Sequence, residues 1–170
     1  MTTRVFLVRH GATMLSAEDR FAGSTNVELS DEGRKQAGSL AERLANEPIA
    51  AVYASPMNRT IETATIIAAP HGFTLQAADG LREIDHGRWE GLLRSEAEER
   101  FGNEYVAWEA DPFTFAPKGG ESGLNVLARA LPVIREIVVK HMHETVLVVS
   151  HKATIRLLIS SLLEIGRAHV

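Results

Sequence analysis

The sequence predicts a three-layer α/β/α sandwich built on a mostly parallel sheet, and three observations carry that expectation. Short, largely apolar runs occur at Val5-Phe6-Leu7-Val8, Ala51-Val52-Tyr53-Ala54 and Thr145-Val146-Leu147-Val148-Val149. Stretches of helical periodicity separate them, and capping or turn residues stand at the junctions. Runs that are apolar at every position suit strands covered on both faces, so all three are expected to be central strands. Strands alternating with helices imply right-handed crossovers, which lay helices over both sides of the sheet.

The helices follow from spacing and caps. Ala37, Leu40, Ala41, Leu44 and Ala45 recur at helical intervals, with Ser30 as N-cap and Asp31 and Glu32 in the first turn. A second helix is expected to open at Ser55-Pro56, with Ser as cap and Pro at the first helical position, burying Ile61, Ala64 and Ala68. A third, from about Ser122, carries Leu127, Leu131, Ile134 and Val138 on one stripe. Pro132 falls inside it, where the missing N–H and the ring should bend the axis. A fourth follows Lys152, with Ile155, Leu158, Ile159 and Leu162 turned inward.

Composition narrows the function. The 170 residues, 45% hydrophobic and 24% charged, suit one soluble domain, taken as residues 1–163. No apolar run approaches the roughly 18 residues of a membrane span, and Met1-Thr2-Thr3-Arg4 leads into the first strand without a cleavage-site pattern, so a cytoplasmic protein is expected. The absence of cysteine excludes disulfides, thiolate metal sites and cysteine nucleophiles. A net charge of -4 and a pI near 6.0 give no general attraction to nucleic acid or to anionic membrane. An anionic ligand must therefore be held by a local cluster.

In doubly wound sheets ligands bind beyond the carboxyl ends of the strands. Arg9-His10-Gly11 follows the first strand, Ser55-Pro56-Met57-Asn58-Arg59 the second, and Ser150-His151-Lys152 the last. Singly, each histidine reads as structural and each arginine as a solvated charge. Together, two imidazoles and two guanidiniums arrive at one sheet edge from three segments.

These residues stand in runs that resemble the histidine phosphatase superfamily, the phosphoglycerate-mutase-like proteins. Val8-Arg9-His10-Gly11 is similar to its first motif and Ser55–Ala64 to its second. Gly23, Leu29–Gly33, Gln36-Ala37, Leu81-Arg82-Glu83, Gly87–Gly91, Gly120-Glu121-Ser122 and Val149-Ser150-His151 follow in the family's order. The resemblance spans residues 5 to about 160 and implies a phosphoglycerate-mutase-like fold, a single domain, and a phosphatase-branch phosphomonoesterase.

The resemblance also implies roles. His10 is the nucleophile, forming a phosphohistidine. Arg9 and Arg59 present planar forks to the phosphate oxygens, joined by His151, Ser16 and Gly23. Glu83 is the acid that protonates the leaving alcohol and later activates water; near a phosphate and partly desolvated, it should hold its proton more tightly. A surface ion pair of Glu83 with Arg82 or Arg88 is the competing reading. No metal or cofactor is required. His141 and His143 suit a solvated helix end better than a metal site, His86 suits a structural or solvent-exposed role better than a substrate contact, and Trp89 suits packing against the sheet edge better than lining the pocket.

Some positions depart from the family's pattern. Ala12, Ser16, Asn26 and Lys152 replace its commoner residues, which bears on substrate contacts rather than on the reaction. Residues 164–170, from Glu164 to Val170, read like a translated library adapter, so the native frame is expected to differ after about Leu163. Two alternatives stay open: a mutase-type phosphotransferase, and a non-catalytic module that binds phosphate ligands. The partner is a small-molecule phosphate ester, with no nucleic acid and no membrane, and a homodimer is left open. The physiological substrate is not legible.

Overall fold

Strands apolar on both faces must be covered twice, and the computed structural model, which describes residues 2–14 and 20–164, shows how. Four parallel strands pair in the order β1 (Arg4–Arg9), β4 (Thr145–Ser150), β2 (Ile49–Ala54), β3 (Gln76–Ala77). Among the described residues five α-helices accompany them: α1 (Asp31–Leu44), α2 (Asn58–Ala68), α3 (Arg94–Ala110), α4 (Gly123–Lys140) and α5 (Lys152–Leu162).

The twofold alternation of side chains along a strand sorts the core into two layers. Ala51, Tyr53, Val146 and Val148 point to one face, where α4 and α5 cover them with Val126, Ile134, Leu157 and Leu158. Val52, Ala54, Leu147 and Val149 point to the other, beneath Leu44 of α1 and Ala64 and Ile67 of α2. A third cluster stands apart from both: Phe21, Trp89, Ala97, Tyr105 and Trp108, gathered from a loop, a short 3-10 turn at Gly87–Trp89 and α3. Trp89 is fully buried there, not against the sheet edge.

Several local expectations change. Only β2 and β4 are central; β1 ends the described sheet, with Val5 to Val8 half-buried between the exposed Arg4 and Arg9. The second helix starts at Asn58, with Met57 in the N-cap position, because the Ser55 side chain is engaged elsewhere. The helix α4 runs through Pro132, which lies on its exposed face, as does Ala128, whose carbonyl the missing N–H leaves to water. In α5 the buried stripe is Ala153, Thr154, Leu157 and Leu158, while Ile159 and Leu162 are exposed. The rotation follows from Thr154, whose hydroxyl donates to the Arg82 carbonyl at 2.7 Å and so faces inward. The β3 strand and α3 had no sequence signal: the strand is two residues long, and α3 buries only Ala97, Tyr105 and Trp108 and is kinked at Phe101. Ile165–Val170, and with them most of the adapter-like tail, lie outside the described residues.

Leu147, fully buried at the centre of the α1/α2 layer, should matter far more than Val139, which is exposed on α4. Leu147→Ala should lose about 2–5 kcal/mol in urea unfolding, and Val139→Ala should stay within about 0.5 kcal/mol. Equal losses would contradict this layering.

Candidate active site

The three strands that carry the predicted residues end level. Arg9 pairs with Ser150 across β1 and β4, and Ala54 with Val149 across β2 and β4. The ladder continues one step beyond the strands: the His10 amide donates to the Ser150 carbonyl at 3.1 Å and the Ser55 amide to Val149 at 3.0 Å. His10, Ser55 and His151 are thereby set side by side.

The turn after His10 is fixed by backbone packing. The Gly11 amide donates to Thr63 Oγ1 at 3.1 Å and the Ala12 amide to Gln36 Oε1 at 3.0 Å. A Cβ on Gly11 would run into the Gly33 carbonyl, and one on Gly33 into the Ala12 carbonyl, so both positions need glycine for the turn to lie on α1. Nδ1 of His10 lies 2.7 Å from the Gly11 carbonyl oxygen, an acceptor only, so Nδ1 carries the proton and Nε2 is left with its lone pair. Burial lowers the His10 pKa to about 4; the nearby Arg59 and Arg9 push the same way and the Gly11 bond pushes back. His10 is neutral at pH 7.

The His151 ring is fully buried and stands edge-on to His10, centroids 5.2 Å apart. Its Nε2 meets Ser55 Oγ at 2.8 Å, and its buried Nδ1 has no hydrogen-bond partner among the described residues. Burial first, then Arg59 and His10, drives its pKa far below the ordinary histidine range, so it too is neutral. A buried polar atom left open beside a second imidazole is a place for a ligand oxygen.

Arg59, in the first turn of α2, is almost wholly buried. Its Nη1 donates to the Thr25 carbonyl at 2.7 Å and its Nη2 to Gly23 at 2.9 Å. Gly23 thus meets Arg59 through its carbonyl. Glu90 holds the same loop, accepting from the Ser24 amide, the Thr25 hydroxyl and the His86 amide. Burial works against the Arg59 charge while Glu83 and Glu90 favour it, and a guanidinium stays protonated throughout.

Glu83 stands at the first turn of α5. Its Oε1 accepts from the Ile84 amide at 3.0 Å and from the Thr154 amide at 3.2 Å, and lies 3.2 Å from the Thr154 hydroxyl, whose proton goes to the Arg82 carbonyl; its Oε2 accepts from the Ala153 amide at 3.2 Å. This carboxyl, expected to be partly desolvated beside the phosphate, is ringed by donors at a helix N-terminus. The competing surface pairs are otherwise engaged: Arg82 meets Asp79 at 3.4 Å and Arg88 meets Glu104 at 2.7 Å. A cavity of about 310 Å³ opens beside Glu83, lined by Ser24, Asp79, Arg82, Asp85 and Glu121, among others.

Among the residues predicted from sequence, Arg9, His10, Arg59, His151 and Glu83 are gathered here, and Ser16 lies outside the described residues. His86 is half-buried and packs against Phe21 and Trp108, its pKa lowered by desolvation to about 4. His141 is not solvated: it is buried, with Nε2 3.0 Å from Tyr53 Oη and Nδ1 2.7 Å from Glu144. Among the described residues, no group of three or more His, Cys, Asp or Glu could hold a metal. Ser55, Glu90, Glu121, Arg129 and Thr154 acquire contacts that sequence reasoning did not assign. Ser55 had been read as a helix cap. Glu90 and Glu121 lie in matched motifs, whereas the signal for Arg129 is a charge that interrupts an apolar helix face.

The description "histidine phosphatase superfamily (branch 1)" matches residues 5–170. Phosphoserine phosphatase 1 of Hydrogenobacter thermophilus is 34% identical over 160 residues, covering 94% of this chain and 76% of that protein. The solved structure of YhfR from Bacillus stearothermophilus is similar at 32% identity and a TM-score of 0.92, covering 99% of this chain and 83% of that one. Mycobacterial glucosyl-3-phosphoglycerate phosphatase Rv2419c, solved with VO3, aligns at 31% identity and a TM-score of 0.86, covering 95% and 82%. Other curated relatives are longer, and the chain spans as little as 45% of their length. On the matched model, the shared fold and the assembled site together, the chain belongs to the histidine phosphatase superfamily, branch 1.

Proposed function

We propose that this phosphomonoester hydrolase works through a phosphohistidine formed on Nε2 of His10. The observation that carries the reading is the 2.7 Å bond from Nδ1 to the Gly11 carbonyl, which leaves Nε2 as a lone pair beside His151 and within the field of Arg9 and Arg59.

On this reading Nε2 attacks phosphorus in line as the bond to the ester oxygen breaks. Arg9 and Arg59 hold the equatorial oxygens. The Met57 amide faces Ser55 Oγ at 3.5 Å, which favours the hydroxyl donating to His151 Nε2, so that His151 offers Nδ1–H to the same phosphate. Gly23 acts through Arg59, and Ser16 joins the phosphate contacts. Glu83 gives its proton to the departing alkoxide; it then takes one from water, whose oxygen attacks phosphorus and frees His10. Two guanidiniums and a neutral imidazole donor supply the charge stabilisation, so no step calls for a metal or a cofactor.

The polar lining of the cavity beside Glu83 supports a small polar leaving group. Phosphoserine and glucosyl-3-phosphoglycerate, named for relatives, fit that class. A cytoplasmic setting and a partner limited to small phosphate esters belong to the same proposal; no helix of the described residues is long and apolar enough to cross a membrane.

A phosphate-release screen over sugar phosphates, phosphoglycerates, nucleotides and phosphorylated amino acids should yield turnover that His10→Ala lowers by roughly 10³-fold or more. Quenched wild type should carry acid-labile, base-stable phosphate; full activity in the variant would remove His10 from the mechanism.

The lowered pKa of His10 has a definite sign. A nucleophile that binds a proton only near pH 4 keeps its lone pair as pH falls from 7 to 5 and loses it below that range. Nitrogen-15 spectra of the free enzyme should show His10 in its Nδ1–H form at pH 5.5. A midpoint near 6.5 would contradict the geometry.

A further inference from the structure

We propose that Arg129 is a positioning residue for the acid, and that with Glu121 it forms a clamp setting where the Glu83 carboxyl stands relative to the leaving oxygen. This rests on the reading of Glu83 as the proton donor. Glu83 lies on neither a helix nor a strand: it follows a single 3-10 turn, Asp79–Leu81, and runs into irregular chain. Such a segment has carbonyls that no ladder satisfies and no intrinsic reason to hold one conformation.

Arg129, on α4, supplies what the segment lacks. Nη1 donates to the Gly80 and Arg82 carbonyls at 2.9 and 2.8 Å, and Nη2 donates to the Glu83 carbonyl at 3.1 Å. Nε and Nη2 donate to the two Glu121 oxygens at 2.8 Å each. A guanidinium has five N–H donors, and all five are used. Although Arg129 lines the cavity, it has no donor left for a ligand there.

Glu121 ties the far end of the segment, accepting from the Asp85 amide at 3.1 Å while its own amide donates to the Asp85 carbonyl at 2.7 Å. Burial raises the Glu121 pKa, but Arg129 and the Asp85 amide outweigh it and hold the carboxyl below its usual range. Gly80 lets the helix come this close, since a Cβ there would meet the Arg129 carbonyl. The segment is thus held at residues 80, 82, 83 and 85 by one ion pair, while Ser150 and Thr154 bind the Leu81 and Arg82 carbonyls from the other side. A lysine has one compact ammonium and cannot span three carbonyls and a carboxylate.

Proton transfer needs a heavy-atom separation of about 2.6–3.2 Å, and a displacement of about 1 Å costs on the order of 10²-fold. The loss should fall only on substrates whose leaving group needs a proton. The test compares kcat/KM, which reports bond cleavage up to alcohol release, for glycerol phosphate and p-nitrophenyl phosphate. Glu83→Gln and Arg129→Lys should each lose on the order of 10²-fold on the alkyl ester and less than about 3-fold on the aryl ester. Glu121→Gln, which keeps the shape of the clamp, should show the same selectivity more weakly; it serves as the second variant if Arg129→Lys does not melt cooperatively.

Selective loss in Glu83→Gln with equal loss on both esters in the clamp variants, or with no loss in them, overturns the clamp and leaves the acid standing. Unselective loss in Glu83→Gln overturns the acid reading and the clamp with it.

Discussion

The pairing of β4 between β1 and β2, level at their carboxyl ends, is the constraint on which the site depends. Parallel strands release their chains at the same edge, and two further backbone bonds, from His10 to Ser150 and from Ser55 to Val149, carry the register into the catalytic turns. One residue of slip in β4 would turn Ser150 and His151 to the opposite faces of the sheet. Full burial of β4 on both faces makes such a slip costly, since it would exchange the apolar contents of two core layers.

Two guanidiniums near two imidazoles would repel one another if the imidazoles were charged. The chain avoids this by burial: His10 and His151 are neutral, and the positive charge resides on the arginines, which cannot lose it. The same neutrality makes His10 a nucleophile. Fixed backbone carbonyls do the orienting, Gly11 for His10 and Gly23 and Thr25 for Arg59, so the polar groups are aimed before a ligand arrives. Glu90 stands behind Arg59 as Arg129 and Glu121 stand behind Glu83. Arg59 and Glu83 are thus each backed by charged side chains, whereas the His10 ring is held by a backbone carbonyl, that of Gly11.

Much of this was legible in the chain. Unbroken apolar runs marked β2 and β4 because strands buried on both faces leave no other pattern, and the rule that ligands lie beyond parallel strand ends placed Arg9, His10, Arg59 and His151 together. The motif resemblance singled out Glu83, whose own neighbours Arg82 and Arg88 pointed to a surface pair. What was not legible depends on tertiary partners. Ser55 looks like a helix cap until His151, 96 positions away, is brought beside it. The face that α5 buries is set by the Thr154 hydroxyl, which outweighs the apolar periodicity of Ile159 and Leu162. The kinked α3 has no continuous apolar stripe, since its buried residues pack into an aromatic cluster away from the sheet.

In the proposed mechanism one tetrahedral oxyanion is held in common by residues from three strand ends. A crystal structure with orthovanadate bound tests it directly. Vanadium should lie in line with His10 Nε2, with its oxygens within hydrogen-bonding distance of Arg9, Arg59 and His151 Nδ1. Vanadate seated away from His10, or held by the arginines with Nδ1 of His151 still unpartnered, would contradict it.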